Sequence, residues 1–160
     1  MLRPGRRLAV DVGKARIGVA ISDFHGILAS PLVTIKRESD LQSSITNLLE
    51  AAQAEGDLLE IYVGVPINLK GASTDSTLDS IAFAEALEIS AGVPVLLVDE
   101  RMTTSIANSQ LRQVGKSQKS ARSTIDQMAA VAILEYALST EKNTSQVPGL
   151  TIAQWRDKHE

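Results

Sequence analysis

The sequence contains no cysteine and few aromatic residues, and both shortages narrow what the chain can be. Without cysteine there is no disulfide framework and no zinc site built on thiolates. Aromatic residues make up only 3% of the chain, so the core must be aliphatic. Sheets and barrels that bind RNA by stacking bases need more aromatic side chains than this.

Long apolar runs are also missing. No stretch approaches the roughly 20 apolar residues that span a membrane. The basic N-terminus is not followed by the apolar core of a signal peptide, because Asp11 comes too early. We therefore expect a cytoplasmic protein with no membrane partner.

The chain does contain enough aliphatic residues for the core of one domain. It has 160 residues, 44% of them hydrophobic, which excludes general disorder. The net charge of −3 argues against a nucleic-acid partner, but the charge is unevenly spread. Residues 38–100 hold twelve acids and one base, whereas residues 101–122 hold five bases and no acid. Such asymmetry can create a positive face on an acidic protein, although a solvated surface without a partner is the alternative.

The N-terminal stretch predicts a β-hairpin with an unexpected carboxylate in its first strand. Apolar residues alternate over 8–12 and again from Ile17 to Ile21, and Gly13-Lys14-Ala15 can form the turn between them. Asp11 interrupts the first strand, and a buried carboxylate is costly unless something pairs with it. Asp11 is therefore a candidate site residue; an Asp near a turn that accepts backbone N–H bonds is the alternative.

The rest of the chain predicts the order β-β-β-α-β-α-β-α-α. Pro31 marks the third strand as an edge strand or the site of a bulge, and Ser39-Asp-Leu-Gln42 fits a capping box before the first helix. A single domain is expected over residues 1–139, followed by a polar and flexible tail over residues 140–160. The predicted elements after the hairpin are strands over 27–35, 60–65 and 93–98, and helices from about residue 41 to 52, 74 to 90, 104 to 114 and 124 to 138.

This order predicts an α/β fold of three layers. The sheet has five strands in the order 3-2-1-4-5, with helices on both faces. Strands four and five run parallel to strand one, because each arrives by a helical crossover. Ligands of such sheets bind outside the C-terminal ends of the parallel strands. Asp11 lies near the end of strand one, and Asp99 and Glu100 end strand five, so these carboxylates should meet at one rim.

Asp126 adds a further carboxylate from the last helix. It shares a helical face with Ala130, Ile133 and Ala137, which are apolar and should pack on the sheet. The helix dipole favours an acid in the first turn of a helix, but it does not explain an acid on the buried face.

Four stretches together resemble the motifs of the YqgF (RuvX) family: Val10–Asp23, Val63–Asn68, Val98–Thr104 and Ile125–Ala130. The resemblance covers residues 7–139. The family has a ribonuclease-H-like fold, and its members are described as candidate Holliday-junction resolvases or as nucleases that process the 5′ end of pre-16S rRNA.

The resemblance implies that Asp11, Glu100 and Asp126 are the catalytic carboxylates. Strand four ends in Val63-Gly-Val-Pro66 and carries no acid, so the middle carboxylate would come from strand five. Whether Asp99 or Glu100 fills that role stays open, as does homodimer formation.

Clustered carboxylates suit phosphodiester hydrolysis by a divalent-metal-dependent nuclease. Two Mg²⁺ or Mn²⁺ ions can activate water and stabilise the leaving oxygen, and hard cations prefer oxygen ligands. The expected substrate is structured nucleic acid, either precursor rRNA or branched DNA. The expected metal ligands are Asp11, Glu100, Asp126 and Asp99, and the expected phosphate contacts are Lys14, Arg16, Arg101, Lys116, Lys119 and Arg122.

Three other interpretations compete with this one. The Asp11-Val-Gly13 hairpin also resembles the phosphate-binding hairpin of actin-like ATPases, but those proteins need two such domains and a longer chain. Gly115-Lys-Ser117 resembles part of a P-loop, but Gln110 stands where the first Gly is required and a helix, not a strand, precedes it. A non-catalytic RNA- or ribosome-binding factor would use the same basic face, and divalent-dependent cleavage separates it from an enzyme.

Overall fold

A five-stranded sheet forms the centre of the molecule, in a computed structural model that describes residues 2–103 and 118–159, with side chains from residue 125 in the second range. Its order is β3-β2-β1-β4-β5, as predicted, with β1 in the middle. β1 pairs antiparallel with β2 and parallel with β4, and β5 runs parallel to β4. The strands are β1 Arg6–Val12, β2 Arg16–Ser22, β3 Ala29–Lys36, β4 Leu58–Val65 and β5 Val95–Asp99.

Helices cover both faces of the sheet. In chain order they are α1 Leu41–Gln53, α2 Asp75–Ala91, α3 Gln118–Thr144 and α4 Ile152–His159, with a 3₁₀ turn over Glu100–Met102. The helix predicted near residues 104–114 lies outside the described residues. No helix in the described ranges is long and apolar enough to cross a membrane.

The alternation of side chains along the strands divides the core into two layers. One face packs Val10 and Val63 against α1 and α2, where Leu48 and Phe83 are fully buried. The opposite face packs small residues of β1 and β2 against α3. Six apolar residues of β1, β4 and β5 are at most 5% exposed: Ala9, Val10, Val63, Val65, Leu96 and Val98.

Local sequence explains where α1 and α2 begin and end. The N-cap residue of α1 is Asp40, one residue after the Ser39 that the predicted capping box implies. The Asp40 carboxylate accepts the N–H of Ser43 at 3.1 Å. Thr74 and Thr77 form a reciprocal capping box at the start of α2. α2 ends at Gly92, whose φ of 70° is the left-handed conformation that glycine adopts without strain.

α3 is longer at both ends than the sequence predicts. It begins at Gln118 rather than near residue 124, and it continues past Leu138 to Thr144. The extension past residue 138 carries Glu141, whose side chain is only 2% exposed because Arg3 and Arg7 bind it. Because the arginine partners are remote in sequence, the local sequence around Glu141 is typical of a solvent-exposed helix end.

The stretch predicted to be a polar, flexible tail instead folds back onto the sheet. Leu150 forms a backbone bridge with Leu97 of β5, and α4 follows. Trp155 of α4 is 3% exposed and joins the core layer of α1 and α2. One aromatic residue in a polar run gives no hydrophobic period, which is why the sequence did not predict a helix here.

Both outer strands of the sheet have altered hydrogen-bonding edges. β3 carries Pro31 opposite a register shift between Val19 and Ala20, so this strand is both the edge and the bulge site that the proline predicted. On β5, the N–H of Leu97 donates to the carbonyl of Leu150 at 2.6 Å. The N–H of Val95 donates to the Glu88 carboxylate at 3.0 Å.

A buried ion-pair network closes the end of the sheet where β1 begins. Arg7 is fully buried and donates to Glu141 at 3.0 Å, and Arg3 bridges Glu141 and Glu60. The hydroxyl of Tyr62 donates to Glu60 at 2.5 Å, and burial raises the pKa of this tyrosine. Arg3 and Arg7 are therefore partnered at the end opposite Asp11, and they add nothing to a positive face beside it.

Candidate active site

Asp11 and Glu100 meet at the rim where the parallel strands end. Asp11 lies near the end of β1, and Glu100 opens the 3₁₀ turn that follows β5. Burial raises the pKa of Glu100 from its usual 4.5 to about 9, helped by a hydrogen bond to Asp11 and by the charges of Asp11 and Asp99. Burial also raises the pKa of Asp11, and the Asp126 charge adds to this rise. The protonated Glu100 thus donates to Asp11, and the two carboxyls share one proton.

Two glycines make room for these carboxyls. Gly18 of β2 pairs with Asp11, and a Cβ on it would overlap the backbone carbonyl of Asp126 in α3. Gly64 of β4 lies beneath Glu100, where a Cβ would be 2.8 Å from Oε1 of Glu100 and 2.5 Å from Cδ1 of Ile133. The absence of side chains at these two positions lets α3 and the Glu100 side chain lie directly on the sheet.

Asp126 enters the site from α3 and is held by Arg16. The face of α3 that carries it continues through Ala130, Ile133 and Ala137, which are all buried, as predicted. The Arg16 Nε donates to Oδ2 of Asp126 at 2.9 Å, and the side chains are 36% and 21% exposed respectively. Asp126 is near enough to Asp11 to raise its pKa, but its own hydrogen bond is to a guanidinium.

Asp99 lies beside the carboxyl pair but has a structural partner. Its carboxylate accepts the backbone N–H of Arg101 at 2.9 Å and the guanidinium of the same residue at 2.7 Å. Burial raises the pKa of Asp99, but the Arg101 hydrogen bonds outweigh it and hold the pKa below its usual range. The charge of His159 at the end of α4 acts in the same direction. Between the two acids that end β5, Glu100 contacts Asp11 and Asp99 caps the turn.

The structure places only some of the predicted phosphate contacts at this rim. Arg16 and Arg101 are there, each paired with a carboxylate. Lys14 is exposed in the β1–β2 turn. The pKa of Asp79 in α2 is lowered by hydrogen bonds from Arg37, and the charges of Arg37 and Lys14 act in the same direction. Lys116 lies outside the described residues, and so do the side chains of Lys119 and Arg122.

The donor set fits a divalent cation. Two crowded carboxyls retain a proton because their negative charges would repel each other. A cation would remove this repulsion by replacing the shared proton as the positive partner. Gly64 leaves a cradle under Glu100 that a larger residue would fill. Within residues 2–103 and 118–159, however, no three acidic, His or Cys side chains converge closely enough to hold an ion as they stand. The described site is thus a carboxyl pair with Asp126 turned toward Arg16.

Sequence reasoning predicted these acids as site residues but missed what positions them. Gly18 and Gly64 each interrupt an apolar strand, and an isolated strand glycine often marks a close approach of another backbone. That signal was available, but it does not say which element approaches. The Arg16–Asp126 pair joins residues 110 positions apart, so only the fold reveals it.

A family model described as "RuvX: Holliday junction resolvase" matches residues 5–140, most of the chain. The chain belongs to this RuvX family. A protein of Leifsonia xyli subsp. xyli named "Putative pre-16S rRNA nuclease" is 48% identical over 92% of this chain and 94% of its own length. A protein of Clavibacter sepedonicus with the same name is 44% identical over 99% of both chains.

The solved structures that resemble this RuvX chain support its fold. The RuvC of T. thermophilus in complex with a Holliday junction substrate aligns with a TM-score of 0.57 at 13% identity. It covers 88% of this chain and 97% of that one. A second structure of Thermus thermophilus RuvC aligns with a TM-score of 0.54 at 11% identity. At these identities the likeness establishes the ribonuclease-H-like fold, as expected.

Proposed function

We propose that this RuvX chain is a divalent-metal-dependent nuclease that hydrolyses phosphodiester bonds in structured nucleic acid. The observation that carries the proposal is the hydrogen-bonded pair of Asp11 and Glu100 at the rim of the sheet, with Asp126 beside it. A fold needs no carboxyls crowded at the open rim of its sheet, and the crowding costs stability unless a cation offsets it. The membership of the RuvX family and the names of its relatives support the same activity.

Asp11, Glu100 and Asp126 would hold Mg²⁺ or Mn²⁺, with Asp99 behind them. Bound there, a divalent ion supplies a water of lowered pKa and a positive partner for the leaving oxygen. Asp11 is fixed by the central strand, and Gly64 sets the position of Glu100. Asp99 holds the 3₁₀ turn by capping Arg101, which keeps Glu100 directed toward Asp11.

The basic residues at the rim would receive the phosphate backbone. Arg16 and Arg101 are paired with carboxylates of the site but remain 36% and 42% exposed, so phosphate oxygens can reach both guanidiniums. Precursor 16S rRNA is the favoured substrate because of the relatives' names, and a four-way DNA junction is the second because of the family description.

The test is cleavage by Asp11→Asn, a substitution that keeps the side-chain shape and removes the charge. Wild type should cleave with Mg²⁺ or Mn²⁺ and not with a chelator, and the variant should lose at least roughly a hundredfold in rate, in the range of other catalytic groups. Asp57→Asn is the matched control, because Asp57 is an exposed acid before β4, at the opposite end of the sheet.

Both precursor rRNA and junction DNA belong in the same assay, with one metal-loaded preparation. Metal-independent cleavage that survives in Asp11→Asn would exclude the mechanism. Binding of either substrate without cleavage under any of these conditions would instead identify a non-catalytic RNA- or ribosome-binding factor.

A further inference from the structure

The contact between Arg16 and Asp126 has a consequence for how a cation enters the site. Arg16 Nε lies 2.9 Å from Oδ2 of Asp126, so a guanidinium occupies one of the oxygens that a metal would need. Asp126 therefore already has a positive partner in the absence of a metal.

We propose that Arg16 is the counter-ion of Asp126 in the metal-free protein. The Arg16 guanidinium must move away from Asp126 before this carboxylate can bind a divalent cation. The inference rests on the proposed function, since it assumes that the carboxylates bind metal. Two cations on one half-buried carboxylate repel each other, because little water screens them. Arg16 thus competes with the metal rather than assisting it.

The geometry gives Arg16 a way out of the site. Its side chain is 36% exposed and stands on β2, beside the gap that Gly18 leaves for α3. The guanidinium can therefore turn toward solvent without disturbing the core. Lys14 offers a comparison two residues away, since it carries the same charge and is exposed in the adjoining turn.

The test measures Mn²⁺ binding by calorimetry, without nucleic acid, for wild type, Arg16→Gln, Arg16→Lys and Lys14→Gln. Removing a partly exposed ion pair should make Arg16→Gln bind Mn²⁺ about two- to fivefold more tightly than wild type. Arg16→Lys keeps the charge and should stay closer to wild type. Lys14→Gln removes a charge of the same sign nearby, and its affinity should change less than that of Arg16→Gln.

The same substitution made in an Asp126→Asn protein shows whether the gain in Mn²⁺ affinity acts through Asp126. In Asp126→Asn, the further change Arg16→Gln should leave the Mn²⁺ affinity unaltered, because the contested carboxylate is gone. Thermal unfolding of the metal-free variants checks that each one is folded.

The outcomes separate this inference from the proposed function. If Arg16→Gln binds Mn²⁺ as wild type does, or more weakly, then Arg16 orients Asp126 instead and the inference is wrong. Equal tightening by Lys14→Gln would reduce the effect to general charge repulsion and would also overturn it. If wild type and all variants bind no Mn²⁺, the metal dependence in the proposed function fails, and the inference fails with it.

Discussion

The proton held between Asp11 and Glu100 makes the stability of the metal-free protein depend on pH. In the unfolded chain Glu100 ionises near its usual pKa of 4.5, whereas in the folded protein its pKa is about 9. Between these values the folded state binds more protons than the unfolded state, so stability must fall as pH rises. The raised pKa of Asp11 has the same sign.

We therefore expect the thermal midpoint of the metal-free protein to fall between pH 5 and pH 9. Each decrease of 1 kcal/mol in the free energy of unfolding should lower the midpoint by about 2–4 °C for a chain of this size. Glu100→Gln, which cannot ionise, should flatten the dependence, and saturating Mg²⁺ should reduce it in wild type. Scanning calorimetry across this range checks the prediction, which a pH-independent midpoint with chelator present would contradict.

Glu141 shows the opposite behaviour at the other end of the sheet. Burial raises its pKa, but hydrogen bonds from Arg3 and the charges of Arg7 and Arg3 overcome this and hold the pKa at about 2. The stability that Glu141 provides is present above pH 4.5 and is lost as pH falls toward 2.

Glu141→Gln should destabilise the protein at neutral pH by about 3 kcal/mol or more, because it leaves Arg7 buried without its counter-charge. Urea unfolding at pH 7 measures this loss. The difference between variant and wild type should shrink at pH 3, where the wild-type carboxylate begins to take up a proton. A difference that does not change with pH would show that the variant acts through packing and not through charge.

At the scale of secondary-structure elements, the two site glycines differ in what a side chain would meet. At Gly18 the obstacle is the backbone of α3 at Asp126, and at Gly64 it is the tips of the Ile133 and Glu100 side chains. A backbone cannot move without shifting its whole helix, whereas a side-chain tip can rotate away.

Gly18→Ala should therefore destabilise the fold by about 1–3 kcal/mol or more, as overpacked cores do. Gly64→Ala should lose less stability but should displace Glu100 from Asp11. Urea unfolding compares the stabilities, and the pH dependence of the midpoint reports whether the shared proton persists. If Gly64→Ala loses more stability than Gly18→Ala, the close approach of α3 to Gly18 is not the stricter of the two packing constraints.

The sequence predicted elements well where one local signal decides them. The hairpin, the five strands and the ends of α2 followed from alternation, turn residues and caps, and connection lengths then set the sheet order. The acids at the ends of β1 and β5 met because parallel strands end at one rim. The end of α3 and the packing of α4 depend instead on Glu141 and Trp155 finding partners remote in sequence, which no local period reveals.

At the scale of the whole molecule, several of the described arginines are already paired with carboxylates. Arg3 and Arg7 bind buried carboxylates at the opposite end, and Arg37 forms a bidentate pair with Asp79. Arg16 and Arg101, which lie at the rim, each have a carboxylate partner. We expect binding of a polyanion to draw also on the bases of residues 104–124, where the sequence has no acid.

Replacing Lys116, Lys119 and Arg122 together by Ala should flatten the dependence of log affinity on log salt. Removing one phosphate interaction should change the slope by about 0.7–0.9, so the combined effect of the triple substitution should be plainly measurable. Binding titrations with precursor rRNA and junction DNA over a range of salt, in Ca²⁺ to limit cleavage, provide the slopes. An unchanged affinity and slope for both substrates would mean that these residues form only a solvated surface.

The return of the chain to β5 also protects the molecule from other copies of itself. An outer strand normally offers unpaired N–H and carbonyl groups to any neighbouring strand. On β5 the Leu97 groups are taken by Leu150 and the Val95 N–H by Glu88, while on β3 Pro31 has no N–H to offer. The segment around Leu150 thus covers the outer edge of β5, and a chain shortened before it would expose the Leu97 backbone groups to edge-to-edge pairing.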